Sequence, residues 1–354
     1  MLRVAFVFPG QGSQYVGMGR DVYETYPEAR ALFDEADAIM GFPLSKLCFE
    51  GPKKKLDDTI NTQPAIFAMS VACFKALGTR YKIRGKDREN LEPRTLNLEP
   101  AFVAGHSMGE YTALVAAGAL DFAAGLKLVR ERGRVMKEAG EQNPGGMAAV
   151  LGLEAKTLDE ICQMASQEIG GIVQLANYNS PGQIVISGHK EALGRALELA
   201  KEQGARRVIL LAVSIASHSP LMRRAAEAFA SVVAQVDFHR PRVPVVANVT
   251  AAPITTVAEI RNELVEQLTS TVRWVESVQY MIAQGVTTFV EIGPKNVLTG
   301  LMRRIDKSVR TVNVGDAAGA ESCVEMLRHP SLREAVAELL PGALGSPEKG
   351  GCEE

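Results

Sequence analysis

Long apolar runs are missing from this sequence. None approaches the ~20 residues that a membrane-spanning helix needs. The apolar start, Val4 to Phe8, is too short for a signal-peptide core and runs straight into Pro9-Gly10. An excess of either charge is missing too. The formal net charge is −2, so nothing draws the whole chain toward nucleic acid or a membrane surface. The arginine pairs at 206–207, 223–224 and 303–304 read as solvated faces. Cysteines are few, odd in number and without a Cys-x-x-Cys pair (Cys48, Cys73, Cys162, Cys323 and Cys352). That excludes a disulfide framework and predicts reduced thiols in a cytoplasmic protein. No cluster of metal-ligand type stands out, so neither metal nor cofactor is expected. Five histidines in 354 residues leave little choice for a catalytic base.

What is there is an ordinary globular balance, 46% hydrophobic and 23% charged, at a length that suits one large core plus a smaller insert. Strands and helices alternate, which predicts an α/β fold with a mainly parallel sheet. Residues 4–8 read as a strand followed by the glycine-rich loop "PGQGSQYVGMG". Helices fit 21–40, restarting at Pro27, and 63–77. Residues 78–100 read as a polar surface excursion, and "AFVAG" as a strand. From 145 to 213 the order becomes β-α-β-β-α-β, the pattern of a ferredoxin-like unit. "VPVVANV" and "TTFVEIG" then resume the core strands. The expected fold is an α/β-hydrolase-like core, residues 1–142 and 214–316, with an inserted ferredoxin-like subdomain at 143–213. Residues 317–354 are expected as a tail, helical in part.

"GHSMG", Gly105 to Gly109, lies between a predicted strand and a predicted helix. In that setting Gly-x-Ser-x-Gly is a nucleophile elbow: a tight turn that holds Ser107 out at the strand end and needs small residues on both sides. The amide of Met108, at the helix N-terminus, would face a developing oxyanion. The serine needs a base. His106 sits inside the turn and is expected to pack or to hydrogen-bond locally. His189 lies in the insert, and His239 and His329 fall in charged, exposed stretches. His218, in "SIASHSPLM", returns to the main sheet and can face Ser107. It looks the most exposed of the five. Asp121 and Asp159 are the only aspartates between Ser107 and His218, and both look like helix-start or helix-surface residues. The glutamates there mostly fall on helices. A Ser-His dyad is therefore expected, with a backbone carbonyl orienting the imidazole.

The helix from Asp121 carries Arg130, Arg132 and Arg134. Phe122, Leu126, Val129, Gly133 and Met136 recur at three- and four-residue steps as the buried stripe. Arg132 falls within about 60° of Val129 on the helical wheel, and the other two arginines fall on the far side. A buried guanidinium needs an anion. The sequence leaves open whether that is a carboxylate of the protein or of a substrate.

In family order, "FPGQGSQYVGMG", "GHSMGEYTALVAAGAL", "RERGRVM", "GGMAAVLGL", "NSPGQIVISG", "SHSPLM" and "LVEQLTSTVRW" resemble the signatures of malonyl-CoA:acyl-carrier-protein transacylases. The related acyltransferase domains of polyketide synthases share them. The similarity runs from Val4 to about residue 315, and the chain looks like a free-standing enzyme. The resemblance implies that Ser107 is acylated, that His218 is its base and that Arg132 holds the free carboxylate of malonyl. It implies that the backbone N–H of Gln11 completes the oxyanion hole with that of Met108. It also implies that Gln267 helps order the site; by itself that glutamine reads as a helix-surface residue. The reaction implied is ping-pong transfer of malonyl from malonyl-CoA to the phosphopantetheine thiol of an acyl carrier protein, without a metal. Malonyl-selective family members usually carry phenylalanine before the histidine. Ser217 stands there instead, as in acyltransferases that choose methylmalonyl, so methylmalonyl is a candidate second donor. Two rivals remain: a thioesterase-type editing hydrolase, and a non-catalytic scaffold that binds carrier protein.

Overall fold

The computed structural model describes residues 3–80, 99–211 and 213–328. The main sheet begins with β1 (Val4–Phe8), every residue of which is buried. A run such as VAFVF, with no polar alternation, suits a strand covered on both faces. Five helices follow: α1 (Arg20–Thr25), α2 (Pro27–Met40), α3 (Leu44–Glu50), α4 (Lys53–Leu56) and α5 (Thr59–Arg80). Then come β2 (Phe102–Gly105), α6 (Gly109–Ala116) and α7 (Phe122–Gln142). The second sheet is built from β3 (Gly145–Leu151), α8 (Ala155–Ile169), β4 (Val173–Ser180), β5 (Gln183–His189), α9 (Lys190–Glu202) and β6 (Arg207–Leu210). The chain returns through a short 3-10 turn (Pro220–Met222) to α10 (Arg223–Val233), β7 (Val245–Val246), β8 (Pro253–Ile254) and α11 (Val257–Glu266). It closes with α12 (Trp274–Ala283), β9 (Thr288–Ile292), α13 (Val297–Ile305), β10 (Arg310–Val314) and α14 (Ala317–Arg328).

The main sheet has the order β10-β9-β1-β2-β7-β8. All neighbours are parallel except β7 and β8. Phe8 pairs with Gly105, so the loop after β1 and the turn after β2 emerge side by side. The second sheet is antiparallel, in the order β4-β5-β3-β6, with α8 and α9 packed on it through Leu158, Ile161, Leu193 and Ala196. Its strand β4 is tied to the main body by Tyr178 N–H to Val272 O and Val272 N–H to Ala176 O, both 2.9 Å.

Several sequence expectations are corrected. Helix α5 starts at Thr59, four residues before the expected 63, and carries Pro64 inside. Its first turn is tied down by Asn61 and Thr62 N–H bonds to Asp58 O, each 2.8 Å. The short helices α3 and α4 and the strand β10 were not expected. "VPVVANV" forms only a two-residue strand, because the chain turns back at Ala247, whose N–H donates to Ala252 O at 3.0 Å. The expected tail from 317 begins with α14, which buries Ala320, Cys323, Val324 and Leu327 in the main core. The excursion expected at 78–100 and the end of the tail fall largely on 81–98 and 329–354, outside the described residues. Among the described residues no helix is long and apolar enough to cross a membrane.

Candidate active site

Ser107 sits in the turn between β2 and α6 with φ 53°, a left-handed backbone that a non-glycine residue adopts only under constraint. The constraint is steric. A Cβ on Gly105 would lie 1.9 Å from the carbonyl carbon of Gly109, and one on Gly109 would lie 2.2 Å from the carbonyl oxygen of Phe8. Asn248 then locks the turn from both ends. Its Oδ1 accepts from Ser107 N–H at 2.7 Å, and its Nδ2 donates to Gly105 O at 2.7 Å.

His218 is only 4% exposed, not the open residue its flanking small side chains suggested. It too has a positive φ, 58°. Its Nε2 lies 2.9 Å from Ser107 Oγ. Its Nδ1 faces two carbonyl oxygens, Gln267 O at 2.8 Å and Ser270 O at 3.2 Å. Carbonyls only accept, so the ring hydrogen belongs on Nδ1 and Nε2 is left to accept from the serine. Burial, and next the charge of Arg132, push the His218 pKa down to about 3. The ring is neutral at pH 7, as a base must be. The expected dyad geometry, with a main-chain carbonyl behind the imidazole, is thus present. Of the two roles expected for His106, packing is present. The ring reaches across to Asn179 Oδ1 of β4 at 2.8 Å and meets Trp274 edge-on at 5.6 Å. His189 accepts from Ile172 N–H, and His239 is exposed. His329 lies outside the described residues.

Arg132 points inward and is 2% exposed. Gly133 allows this: a Cβ there would meet Thr59 O at 2.8 Å and Ile60 Cα at 2.9 Å, so α7 touches the first turn of α5. Arg132 Nη1 donates to Gln63 Oε1 at 2.9 Å. Its Nη2 donates to Gln267 Oε1 at 2.9 Å and to Ser107 Oγ at 3.2 Å. Its Nε–H has no acceptor among the described residues. Among the described residues no carboxylate oxygen comes within 4 Å of the guanidinium, so a protein ion pair does not explain its burial. Arg134, by contrast, pairs on the surface with Glu131 and Glu138.

Gln267 is fully buried, which corrects its reading as a surface residue. Its backbone holds His218 and its side chain holds Arg132, while Nε2 donates to Ser107 O at 3.2 Å and to Glu110 Oε2. Gln11 lies in the exposed loop after β1, with its Oε1 accepting from Thr59 Oγ1 at 2.9 Å. That loop approaches the elbow so closely that a Cβ on Gly10 would lie 2.4 Å from His106 O. Among the described residues the N–H groups of Gln11 and Met108 donate to no acceptor. Ser217 is half-buried beside the base. Its neighbour Ala216 is small for a packing reason: Ala216 Cβ lies 2.6 Å from where a Cβ of Gly145 would be.

Sequence reasoning passed over Gln63, Glu110, Asn179, Asn248 and Glu263. Glu110 did carry a signal, a carboxylate in the first turn of an otherwise apolar helix. Asn248 did too, as an amide at the end of an apolar strand.

The model of the acyl transferase domain family matches residues 5–328. The malonyl CoA-acyl carrier protein transacylase of Bacillus subtilis is 45% identical over 328 residues, 93% of this chain and 98% of that protein. Its counterpart in Escherichia coli is 42% identical over 326 residues, 92% of this chain and 100% of that one. The solved transacylase of Coxiella burnetii superposes with a TM-score of 0.85 at 39% identity, covering 93% of this chain and 98% of that one. A malonyl-transacylase solved in complex with a type II PKS acyl-carrier protein gives 0.84 at 40% identity, covering 91% and 99%.

Proposed function

Since the chain belongs to the acyl transferase domain family, we propose that it moves a malonyl group from malonyl-CoA to the phosphopantetheine thiol of an acyl carrier protein. The observation that carries the choice of substrate is Arg132: a buried guanidinium with no carboxylate oxygen within 4 Å among the described residues, in contact with the nucleophilic oxygen. Such a charge selects an acyl group that brings its own carboxylate. An esterase for neutral acyl groups has no use for it.

His218 Nε2 takes the hydroxyl proton as Ser107 Oγ attacks the thioester carbonyl. The oxyanion falls to the amides of Gln11 and Met108. The C–S bond breaks, and the proton on His218 goes to the departing coenzyme A thiolate. The carrier-protein thiol then gives its proton to His218 and attacks the malonyl ester. Ser107 leaves with that proton. Gln267 and Ser270 hold the imidazole through both halves. No metal or other cofactor enters these steps.

The same reading extends to the fold. Main-sheet order, with the elbow after the central strand β2, supports an α/β-hydrolase-like core. The order β4-β5-β3-β6 supports a ferredoxin-like insert at 143–213 between the two parts of the main body, 1–142 and 214–316, to which α14 is added. Buried, unpaired Cys48, Cys73, Cys162 and Cys323 suit a cytoplasmic setting.

The test is intact-protein mass spectrometry after separate incubation with malonyl-CoA, methylmalonyl-CoA and acetyl-CoA. A malonyl adduct is expected, absent in Ser107→Ala and weak in Arg132→Ala, and discharged faster by carrier protein than by water. Acetyl preference untouched by Arg132→Ala would overturn the carboxylate grip. Discharge by water alone would favour an editing hydrolase.

A further inference from the structure

Two carboxylic acids lie behind the site, and the steps above use neither. Glu110, in the first turn of α6, is fully buried, and Glu263 of α11 is 5% exposed. They converge on one stretch of backbone: Asn248 N–H donates to Glu110 Oε1 at 3.3 Å and Val249 N–H to Glu263 Oε1 at 2.9 Å. Because these two N–H groups are adjacent in the chain, the carboxyl groups that accept from them are brought side by side. Among the described residues neither has a basic partner within 4 Å. Two carboxylates sharing a dry site cannot both ionise, so a proton must be held between them. Burial raises the pKa of both, and that of Glu263 is pushed up to about 7. The charged and titratable groups facing the pair are Arg132 on α7, Tyr111 on α6 and Glu266 on α11.

What the pair touches gives it a task. Glu110 Oε2 accepts from Gln267 Nε2, which fixes the direction of that amide and leaves Gln267 Oε1 to accept from Arg132. Glu263 and Gln267 are four residues apart along one helical turn, joined by Gln267 N–H to Glu263 O at 2.8 Å. The carbonyl of the same Gln267 orients His218. We propose that Glu110 and Glu263 form a proton-sharing positioning pair that sets Gln267, and through it both the imidazole and the guanidinium. This rests on the proposed function for its kinetic consequences, but not for the shared proton itself.

Infrared spectroscopy tests the proton without substrate. Wild-type protein at neutral pH should show the C=O stretch of a carboxylic acid that Glu263→Gln loses; Glu291, also buried, contributes equally to both proteins, so the band is read from the difference spectrum. Absence of that band from the difference spectrum overturns the proposal. Kinetics test the positioning. Glu263→Gln keeps a permanent hydrogen toward Glu110, so kcat for malonyl transfer should fall only a few-fold. Glu263→Leu removes it, and kcat should fall by about tenfold or more, with KM for malonyl-CoA moving less. Wild-type activity should also decline at alkaline pH as the shared proton leaves, and Glu263→Gln should lack that decline. A folded Glu263→Leu with wild-type kcat and pH profile would overturn the positioning role. If Glu263→Leu does not fold, the band and the alkaline limb of Glu263→Gln decide the matter. Failure of the wild type to load malonyl at all would count against the function, and the infrared result would stand apart from it.

Discussion

Arg132 Nη2 donates to Ser107 Oγ across 3.2 Å, so a buried positive charge rests against the nucleophile before any substrate arrives. The serine hydrogen points to His218 and the serine oxygen accepts from Arg132. A malonyl carboxylate would supply the direct counter-charge that no described carboxylate oxygen gives within 4 Å, since Glu110 reaches Arg132 only through Gln267.

Arg132→Met keeps the length and removes the charge. Malonyl loading should fall by about 10²–10³-fold, the equivalent of ~3–4 kcal/mol for losing one member of a buried charged pair. Acetyl loading should change far less. The ratio of kcat/KM for the two donors is the measurement, and an equal loss for both would show that Arg132 merely supports the fold. The thermal midpoint should change little, because the gain from no longer burying a guanidinium is offset by the Gln63 and Gln267 oxygens that lose their donor.

A second expectation concerns pH. His218 has its folded pKa pushed down to about 3 from the ordinary 6.5, by burial first and by Arg132 second. Between those values the unfolded chain binds more protons than the folded one. This histidine's contribution to stability is therefore complete above 6.5 and is lost as pH falls toward 3. Acylation should keep its rate well below the usual histidine range, and its acid limb should move up in Arg132→Met, where the second cause is gone. The rate of acetyl loading against pH reads both. A wild-type limb at the ordinary histidine pKa would mean that the ring is solvated.

The elbow, the inward arginine and the order of elements were legible because each follows from local pattern: glycine on both sides of a serine, a helical stripe, alternation of strand and helix. Gln267, Glu110, Glu263 and Asn248 were not. Their polar side chains look like surface from their own helices and strand. Only the packing of α11 and the 247–249 segment against α6 buries them. The same limit applied to His218, whose small neighbours suggested exposure. Of those neighbours, Ala216 is small because the backbone of Gly145 lies directly against its Cβ. Helix α5 was misjudged at its start because Pro64 looks like a first-turn residue.

Asn248→Ala should show how much the turn depends on that one amide. It strands Ser107 N–H and Gly105 O in a dry place, each at ~1–3 kcal/mol. We expect about 2–4 kcal/mol less stability in urea melts, together with a lower kcat as the left-handed serine relaxes. Gly109→Ala should be worse and give no soluble protein, since its Cβ meets main-chain oxygen that cannot move aside. A soluble, active Gly109→Ala would mean that the strand and helix separate more easily than the contact allows.

The last expectation separates two donors. Ser217 is half-buried at the base, where a phenylalanine would fill the space an α-methyl branch needs. With serine there, methylmalonyl-CoA should load Ser107 alongside malonyl-CoA, malonyl remaining the better donor. One methyl group is worth only ~1–3 kcal/mol of discrimination, so Ser217→Phe should raise the malonyl preference by about 10–100-fold. Adduct masses after competition between the two donors give the ratio directly. Exclusion of methylmalonyl by the wild type would show that another side chain occupies the space. Met108, fully buried beside the nucleophile, is then the one to shorten, and Met108→Ala should admit the branched donor where Ser217 did not.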